Sequence, residues 1–560
     1  MAGLSYSVSN QNRVSYMQHE WWRGAVIYQV YPRSFADSNS DGIGDLRGII
    51  GKMPYLASLG VQALWISPFF KSPMRDFGYD IADYRAIDPM FGSMDDFDAL
   101  IESAHGHGLR IIIDQVFSHT SIDHEWFAQS RQSQDNPKSD WYVWADAKPD
   151  GSAPNNWLSI FGGNAWQWDS RRKQYYLHNF LVDQPDLNFH NPEVQEAVLD
   201  NVKFWLDKGV DGFRLDAFNF CFHDRELRDN PAKPPEARTG RGYSPDNPYA
   251  FQYHYHNNTQ PEMIPFIRRL RALFDQYEGI TTVAELNSED SLATMAEYSG
   301  PDKLHMGYSF ELAADEFSVQ HIRDTVRAFE SRVVDGYPCW SISNHDVQRV
   351  MTRWLHDQAP PYAANLLNAM LLSLRGSVCV YQGQELGLPE ADVAFEDLQD
   401  PFGVAFWPAF KGRDGCRTPM PWANTLHGDF MVSDNGSKPW LPVDPRHLQL
   451  SVDTQEHHAD SVLVGFRRFT AWRASRPELT LGSITMLDTA EPVLAFTRTH
   501  EGSTLFCAFN LSGTTATLSD LPKGLSPLDG HGLTAGALTD DGLTLELPAY
   551  GLFYSLLPEP

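Results

Sequence analysis

Residues 211–217 read DGFRLDA, a short run that is apolar at Phe213 and Leu215 and ends on charge at Asp216. Upstream, the stretch from Pro192 to Leu206 carries Val194, Val198, Val202 and Leu206 at helical spacing. A helix feeding a short, β-branched or aromatic run is a βα unit, and such units in series make a parallel sheet. Working outward in both directions gives seven more such runs: AVIYQVY from Ala25, VQALWIS from Val61, LRIIIDQV from Leu109, ITTVAE from Ile280, HMGYSFE from His305, CWSISNHD from Cys339 and SVCVYQGQE from Ser377. Eight strands with intervening helices predict an α/β fold, a closed (β/α)8 TIM barrel.

The third, fourth, fifth and seventh runs turn from apolar to acidic at Asp114, Asp216, Glu285 and Asp346. One such Asp is readily explained as a cap on the next helix. Four of them suit the C-terminal face of a barrel, where active sites lie and a carboxylate escapes full desolvation.

Long excursions interrupt the alternation. Residues 118–185, rich in Trp, Gly, Asn and Asp, are too many for a loop and predict a subdomain inserted after strand three. A second excursion runs from about Leu386 to Val443 and carries GRDGCRTPMPW. Near Pro477 the pattern changes to alternating strands with Gly and Asp turns, as in VLAFTRTHEGSTLFCAFNLSG, which predicts a C-terminal antiparallel β-sandwich. The expected division is a flexible leader over 1–20, the barrel over 21–117 and 186–477, the insert over 118–185 and the sandwich over 478–560. No internal repeat is visible.

With 72 acidic against 44 basic residues, the formal charge of −28 repels nucleic acid and anionic membrane surfaces. A neutral ligand suits this surface, although solubility or a saline habitat is the plainer explanation of the charge. Sixteen Trp residues exceed what a core needs. Sugar rings stack on such faces, while large core residues are the plain alternative. The five cysteines show no CxxC spacing, so neither a zinc site nor a disulfide framework is expected, and a reducing cytoplasm fits. An apolar segment near residue 1 and a run of eighteen apolar residues are both missing, which argues against a signal peptide and a membrane span.

Glycoside hydrolysis needs one carboxylate at the anomeric carbon and one protonated carboxyl on the leaving oxygen. Asp216 and Glu285, leaving adjacent strands, suit these roles. Arg214, two residues before Asp216, shares its strand face. It is expected to hold Asp216 ionised, while Glu285 keeps its proton in a less polar setting.

The set DQVFSH from Asp114, GFRLDA from Gly212, VAE from Val283 and SNHD from Ser343 resembles the four signature regions of glycoside hydrolase family 13. Any one string is weak; four in this order, each near a strand end, are specific. QPDLN from Gln184 is similar to the further signature of the oligo-1,6-glucosidase and α-glucosidase subgroup. The resemblance runs from Trp21 to Trp422 and more loosely through the sandwich. It implies that Asp216 is the nucleophile, Glu285 the general acid and then base, and Asp346 a third carboxylate that binds sugar hydroxyls. A retaining reaction through a glucosyl ester follows. The resemblance also gives His119 and His345 as donors to the innermost glucose, and Tyr79 as the ring that stacks on it. Asp76 would pair with Arg413 to close the pocket on a terminal glucose, with Arg417 as the competing partner. Phe161 and Phe180 fall where the subgroup has pocket aromatics. Each His alone is as readily a core histidine, and each ion pair a surface contact of little consequence.

DSNSDGIGD, residues 37–45, spaces oxygen ligands at alternate positions as an EF-hand loop does. Asp37, Asn39, Asp41, the Ile43 carbonyl and Asp45 are the candidate ligands for one structural Ca2+ or Mg2+, a use the subgroup makes of this loop. A metal-free Asx turn is the alternative. No organic cofactor is expected. Family amylases place Asn before the His of the first signature, where it helps bind calcium; Ser118 stands here, so calcium beside the active site is not expected.

In the family, Val after the nucleophile accompanies α-1,6 cleavage, and Ala or Thr accompanies α-1,4. Ala217 therefore favours α-1,4 bonds of small neutral α-glucosides such as maltose, maltooligosaccharides, sucrose and aryl glucosides, although a methyl-scale change discriminates by only about 1–3 kcal/mol. The expected activity is that of an exo-acting α-glucosidase, possessing the intermediate for transglucosylation, as a monomer or homodimer. The alternative enzyme is a sucrose hydrolase or glucosyl transferase with the same residues. A binding protein like the family's transporter heavy chains is the alternative of another class, disfavoured because all three carboxylates are present.

Overall fold

Eight parallel strands close into a barrel in chain order: β1 (Val26–Val30), β2 (Ala63–Ile66), β3 (Arg110–Val116), β4 (Gly212–Asp216), β5 (Thr281–Glu285), β6 (Met306–Ser309), β7 (Pro338–Trp340) and β8 (Ser377–Tyr381), with β8 pairing back onto β1. The structure, a computed structural model, describes residues 20–238, 247–433 and 435–558, so the expected leader lies outside the described residues except for its last position.

The period of two sorts each strand. Outward residues such as Val26, Tyr28, Leu64, Ile111, Phe213, Ala284 and Val380 join the large core under the helices. Inward residues Ile27, Ala63, Trp65, Ile112, Val283, Met306, Tyr308, Cys339 and Cys379 fill the barrel. The chain buys helix starts locally: Ser93 and Asp96 form a capping box before Met94–Gly106, and Asn191 with Pro192 opens the helix Pro192–Asp207.

Within 118–185 a three-stranded sheet forms from Trp144–Ala145, Gln174–Leu177 and Trp166–Asp169, around buried Trp157 and Trp166. A bridge between His119 and Asp186 pins the start and end of this insert together. After the helix Pro477–Leu481, the C-terminal part begins at Ser483 as a five-stranded antiparallel sheet facing a three-stranded one. Val493, Ala495, Phe506, Leu545 and Phe553 lie between the two sheets. All five cysteines are free and buried. Among the described residues no helix is long and apolar enough to cross a membrane.

Two expectations about strand ends are corrected. β3 continues two residues past Asp114, so this carboxylate lies inside the barrel, 1% exposed, rather than at its mouth. β7 stops at Trp340, and Asp346 is carried by the following turn, where Asn344 Oδ1 accepts the N–H groups of Asp346 and Val347 at 2.8 and 3.0 Å.

Candidate active site

Parallel registration brings the charged residues together. Arg214 sits level with Asp114 on β3 and with Val283 on β5, so Asp216 and Glu285 emerge side by side one pleat further up. The Arg214 guanidinium is buried and divides its donors. Nη1 donates to Asp114 Oδ1 at 2.8 Å and to Asp216, while Nη2 donates to Glu285. Arg214 thus meets Asp216, as its place on the strand face implied, and holds Asp114 and Glu285 as well, since a guanidinium is a planar fork with five N–H donors.

One cation facing three buried carboxylates leaves the cluster short of positive charge. Burial raises Asp216 well above the usual carboxylate range against the pull of Arg214. Burial raises Glu285 in the same way, and pushes Asp114 up to about 7. The cluster therefore keeps its protons to higher pH than free carboxyl groups would.

Asp346 is the opposite case. Burial alone would raise it, but His345, Arg413 and Arg417 together hold it well below the usual range. Arg417 Nη2 reaches Asp346 at 2.9 Å and Arg413 Nη1 at 3.3 Å. His345 Nε2 lies 3.2 Å from Asp346 and 2.6 Å from the Tyr79 hydroxyl. Gln29 Nε2 approaches His345 Nδ1 at 2.7 Å, which makes Nδ1 the acceptor and leaves the proton on Nε2, toward Asp346. Burial lowers His345 to about 3, so the ring is neutral in ordinary buffers.

At the other end Arg413 Nη2 donates to Asp76 at 3.1 Å and to Asp400 at 2.9 Å, while its Nε donates to Asp400 at 3.0 Å. Arg417, the competing partner, instead donates from Nε to the His345 carbonyl at 2.7 Å. Gln184 Nε2 donates to Asp76 at 3.0 Å and also meets His119. The Tyr79 carbonyl, 3.1 Å from His119 Nε2, can only accept, so the ring donates from Nε2 and its Nδ1 accepts from the Ser118 hydroxyl at 2.9 Å. Tyr79 stacks on His345 at 5.5 Å, Phe161 lies 5.5 Å beneath the Arg413 guanidinium, and Phe180 packs on His119.

A cavity of about 590 Å3 joins these groups: Asp76, Tyr79, His119, Phe161, Phe180, Asp216, Ala217, Glu285, Asp346 and Arg413 all line it. Arg214 and His345 stand behind its wall as supports. Three supporting residues were missed from sequence. Gln184 lay within a quoted signature, and Gln29 follows Ile27 on the inward face by strand alternation. Asp400 gave no signal, because its partner is thirteen residues away in an irregular excursion.

The 37–45 loop lies apart from this cavity. Asp37 accepts the N–H groups of Asn39, Ser40 and Gly42 at 3.0, 2.6 and 2.7 Å, Asn39 that of Asp41 at 2.9 Å, and Asp41 that of Ile43 at 2.9 Å. Asp45 caps the next helix through Gly48 at 2.7 Å. These are successive Asx turns, and among the described residues no three His, Cys, Asp or Glu side chains converge as a metal cage. Asn39 and Asp41 are exposed, so a cation would have to draw them inward.

The sequence model of the alpha-amylase catalytic domain matches residues 29–482. A probable alpha-glucosidase of Rhizobium meliloti (strain 1021) is 53% identical over 96% of this chain and 97% of that protein. An oligo-1,6-glucosidase of Heyndrickxia coagulans is 36% identical over 96% and 99%. Among solved structures, that of an alpha-glucosyl transfer enzyme, XgtA, superposes with a TM-score of 0.94 at 61% identity, covering 96% of this chain and all of that one (100%).

Proposed function

The chain belongs to the α-amylase family of glycoside hydrolases and is an α-glucosidase, and on that premise we propose which residues act and on which bonds. Asp216 attacks the anomeric carbon of a terminal glucose while Glu285 gives its proton to the departing oxygen. The resulting β-linked glucosyl ester is opened by water, which Glu285, now a carboxylate, deprotonates; α-glucose leaves. Asp346, ionised and fixed by two arginines, binds sugar hydroxyls and favours the positive charge that develops on the ring. The observation that carries this reading is a cavity lined by both Asp216 and Glu285, which Arg214 ties together from behind its wall, and by the Asp76–Arg413 ion pair, which suits a chain terminus. NMR of the first product tests it: α-glucose is expected, initial β-glucose overturns double displacement, and undiminished glucose release by Asp216→Asn removes the nucleophile assignment.

Ala217 supports a preference for α-1,4 bonds of maltose and short maltooligosaccharides, with sucrose and aryl glucosides also accepted. Its left-handed backbone (φ 39°) brings its N–H to 3.4 Å from Glu285, and a methyl group is all the side chain it offers to the cavity it lines. The measurement is relative kcat/KM on maltose, sucrose and isomaltose; clear preference for isomaltose contradicts the assignment. Transfer of glucose to acceptors other than water is the second reading, favoured by the likeness to an enzyme named for α-glucosyl transfer.

For the 37–45 loop the proposal is one structural Ca2+ or Mg2+ on Asp37, Asn39, Asp41, the Ile43 carbonyl and Asp45, supported by the alternate spacing of oxygen donors. Dialysis against EDTA should lower the Tm, and added Ca2+ or Mg2+ should restore it. An unchanged Tm leaves the loop as a run of Asx turns. A cytoplasmic enzyme, monomeric or dimeric, fits the free cysteines, and light scattering decides the assembly.

A further inference from the structure

Glu390 also lines the cavity, yet nothing in the reaction above uses it. It lies in the excursion after β8, where its backbone and one carboxyl oxygen are held. Its N–H donates to Thr352 Oγ1 at 2.7 Å, its carbonyl accepts from Arg446 at 2.6 Å, and its Oε2 accepts the Arg349 N–H at 2.7 Å. Thr352 and Arg349 follow Asp346 on the β7 side, so Glu390 is fixed to the same loop that carries the third carboxylate. Its other oxygen, Oε1, lies directly over Gly415, where an added Cβ would stand only 2.3 Å from it. Gly415 is two residues from Arg413, and a glycine at that point is what lets the carboxylate reach the cavity wall.

The surroundings make this carboxyl group distinctive. Beyond the carboxylates the cavity is lined by apolar groups such as Phe310, Val393 and Phe402 and by the polar Gln348, Arg353 and Lys411. The nearby Arg353 is spoken for, since it donates to the carbonyls of Ala314, Gln348 and Ile342. Burial in this setting raises Glu390 to about 7. A rigidly held hydrogen-bond acceptor on the cavity wall fixes whichever hydroxyl group is placed against it, because an unmatched ligand leaves that group desolvated and unpaired.

We propose that Glu390 is a specificity-determining residue for the leaving group and acceptor, accepting a hydroxyl of the sugar that departs from, or is joined to, the bound glucose. This rests on the assignment of the cavity as an α-glucosidase site. The class of ligand recognised is a polyhydroxy acceptor, as against an aryl group with no hydroxyl to offer.

The test is the ratio of kcat/KM on maltose to that on p-nitrophenyl α-glucoside in Glu390→Gln, a variant that still accepts the Arg349 N–H and so retains the loop contact. The ratio should fall at least about tenfold, because the amide sets an N–H donor where the free carboxyl oxygen accepted and so weakens only the ligand that donates to it. Gly415→Ala, which crowds Oε1, should move the ratio the same way. A ratio unchanged in Glu390→Gln with an unaltered Tm overturns the proposal and leaves Glu390 a loop tie. Loss of the α-glucosidase reading would appear separately, as undiminished turnover of both substrates in Asp216→Asn.

Discussion

At the scale of single residues, the site is governed by how few positive charges serve how many carboxylates. Arg413 is shared among Asp76, Asp346 and Asp400, and the last holds it most closely. Burial would raise Asp400, but Arg413 pulls it down to about 2 from an ordinary 3.8. A depressed carboxylate stabilises the fold above its unfolded value, and that contribution is lost as pH falls from about 4 toward 2. Asp400→Asn leaves a buried guanidinium underpaired and should cost about 3–5 kcal/mol at neutral pH. Urea unfolding should show the difference from wild type narrowing below pH about 4. Because Arg413 also faces Asp76, the same variant should raise KM for maltose more than it lowers kcat. Asp76 differs in sign: burial lifts it to about 6, so ionising it costs stability as pH rises through that value. Its protonation below pH about 6 should weaken the pair with Arg413, and KM should climb there in the wild type.

At the scale of elements, what was legible in the sequence followed periodicity. All eight barrel strands stand where short apolar runs alternate with amphipathic helices, because burial on both sides of a parallel strand leaves a continuous apolar string. Asp216 and Glu285 were legible for the same reason, as the last inward positions of β4 and β5. Side-chain placement between elements was not. Nothing in GFRLDA says that Arg214 grips Glu285 as well as Asp216, since that depends on the distance between neighbouring strands. Nor does SNHD say that Asp346 hangs on a turn six residues past Trp340. That turn makes a prediction at its own scale. Asn344 accepts two backbone N–H groups and donates to the Tyr308 hydroxyl at 3.2 Å, so it sets the direction of Asp346 without touching substrate. Asn344→Ala should lower kcat by about 10- to 100-fold through misplacement alone. Unchanged kcat would mean that the two arginines suffice to hold Asp346.

Across the whole molecule, the sandwich acts on the barrel through a helix that ends just before β8. Two buried arginines meet the C-terminal carbonyls of the helix Ala363–Ser373. Arg473 donates to Leu372 at 2.6 Å, and Arg498, from the sandwich, donates to Ser373 at 2.6 Å and to Gly482 at 2.8 Å. The negative end of a helix dipole suits a cation, and burial lowers Arg498 only to about 10, so it stays charged at neutral pH. Around it Phe469 and Trp472 of the helix Val462–Ala474 pack on Tyr554 of the sandwich at 6.0 and 4.8 Å, making one continuous core from barrel to sandwich. The residues after the helix Ala363–Ser373 lead through Gly376 into β8 and on to the excursion bearing Glu390, Asp400 and Arg413, so loosening of the sandwich should reach the cavity wall by this route. Arg498→Met keeps the stem and removes the donors; it should destabilise the first unfolding transition by about 1.5–3 kcal/mol. Activity should be lost on heating at the same temperature as that transition. If the sandwich unfolds while maltose hydrolysis persists, the sandwich supports the barrel's solubility and not its active site.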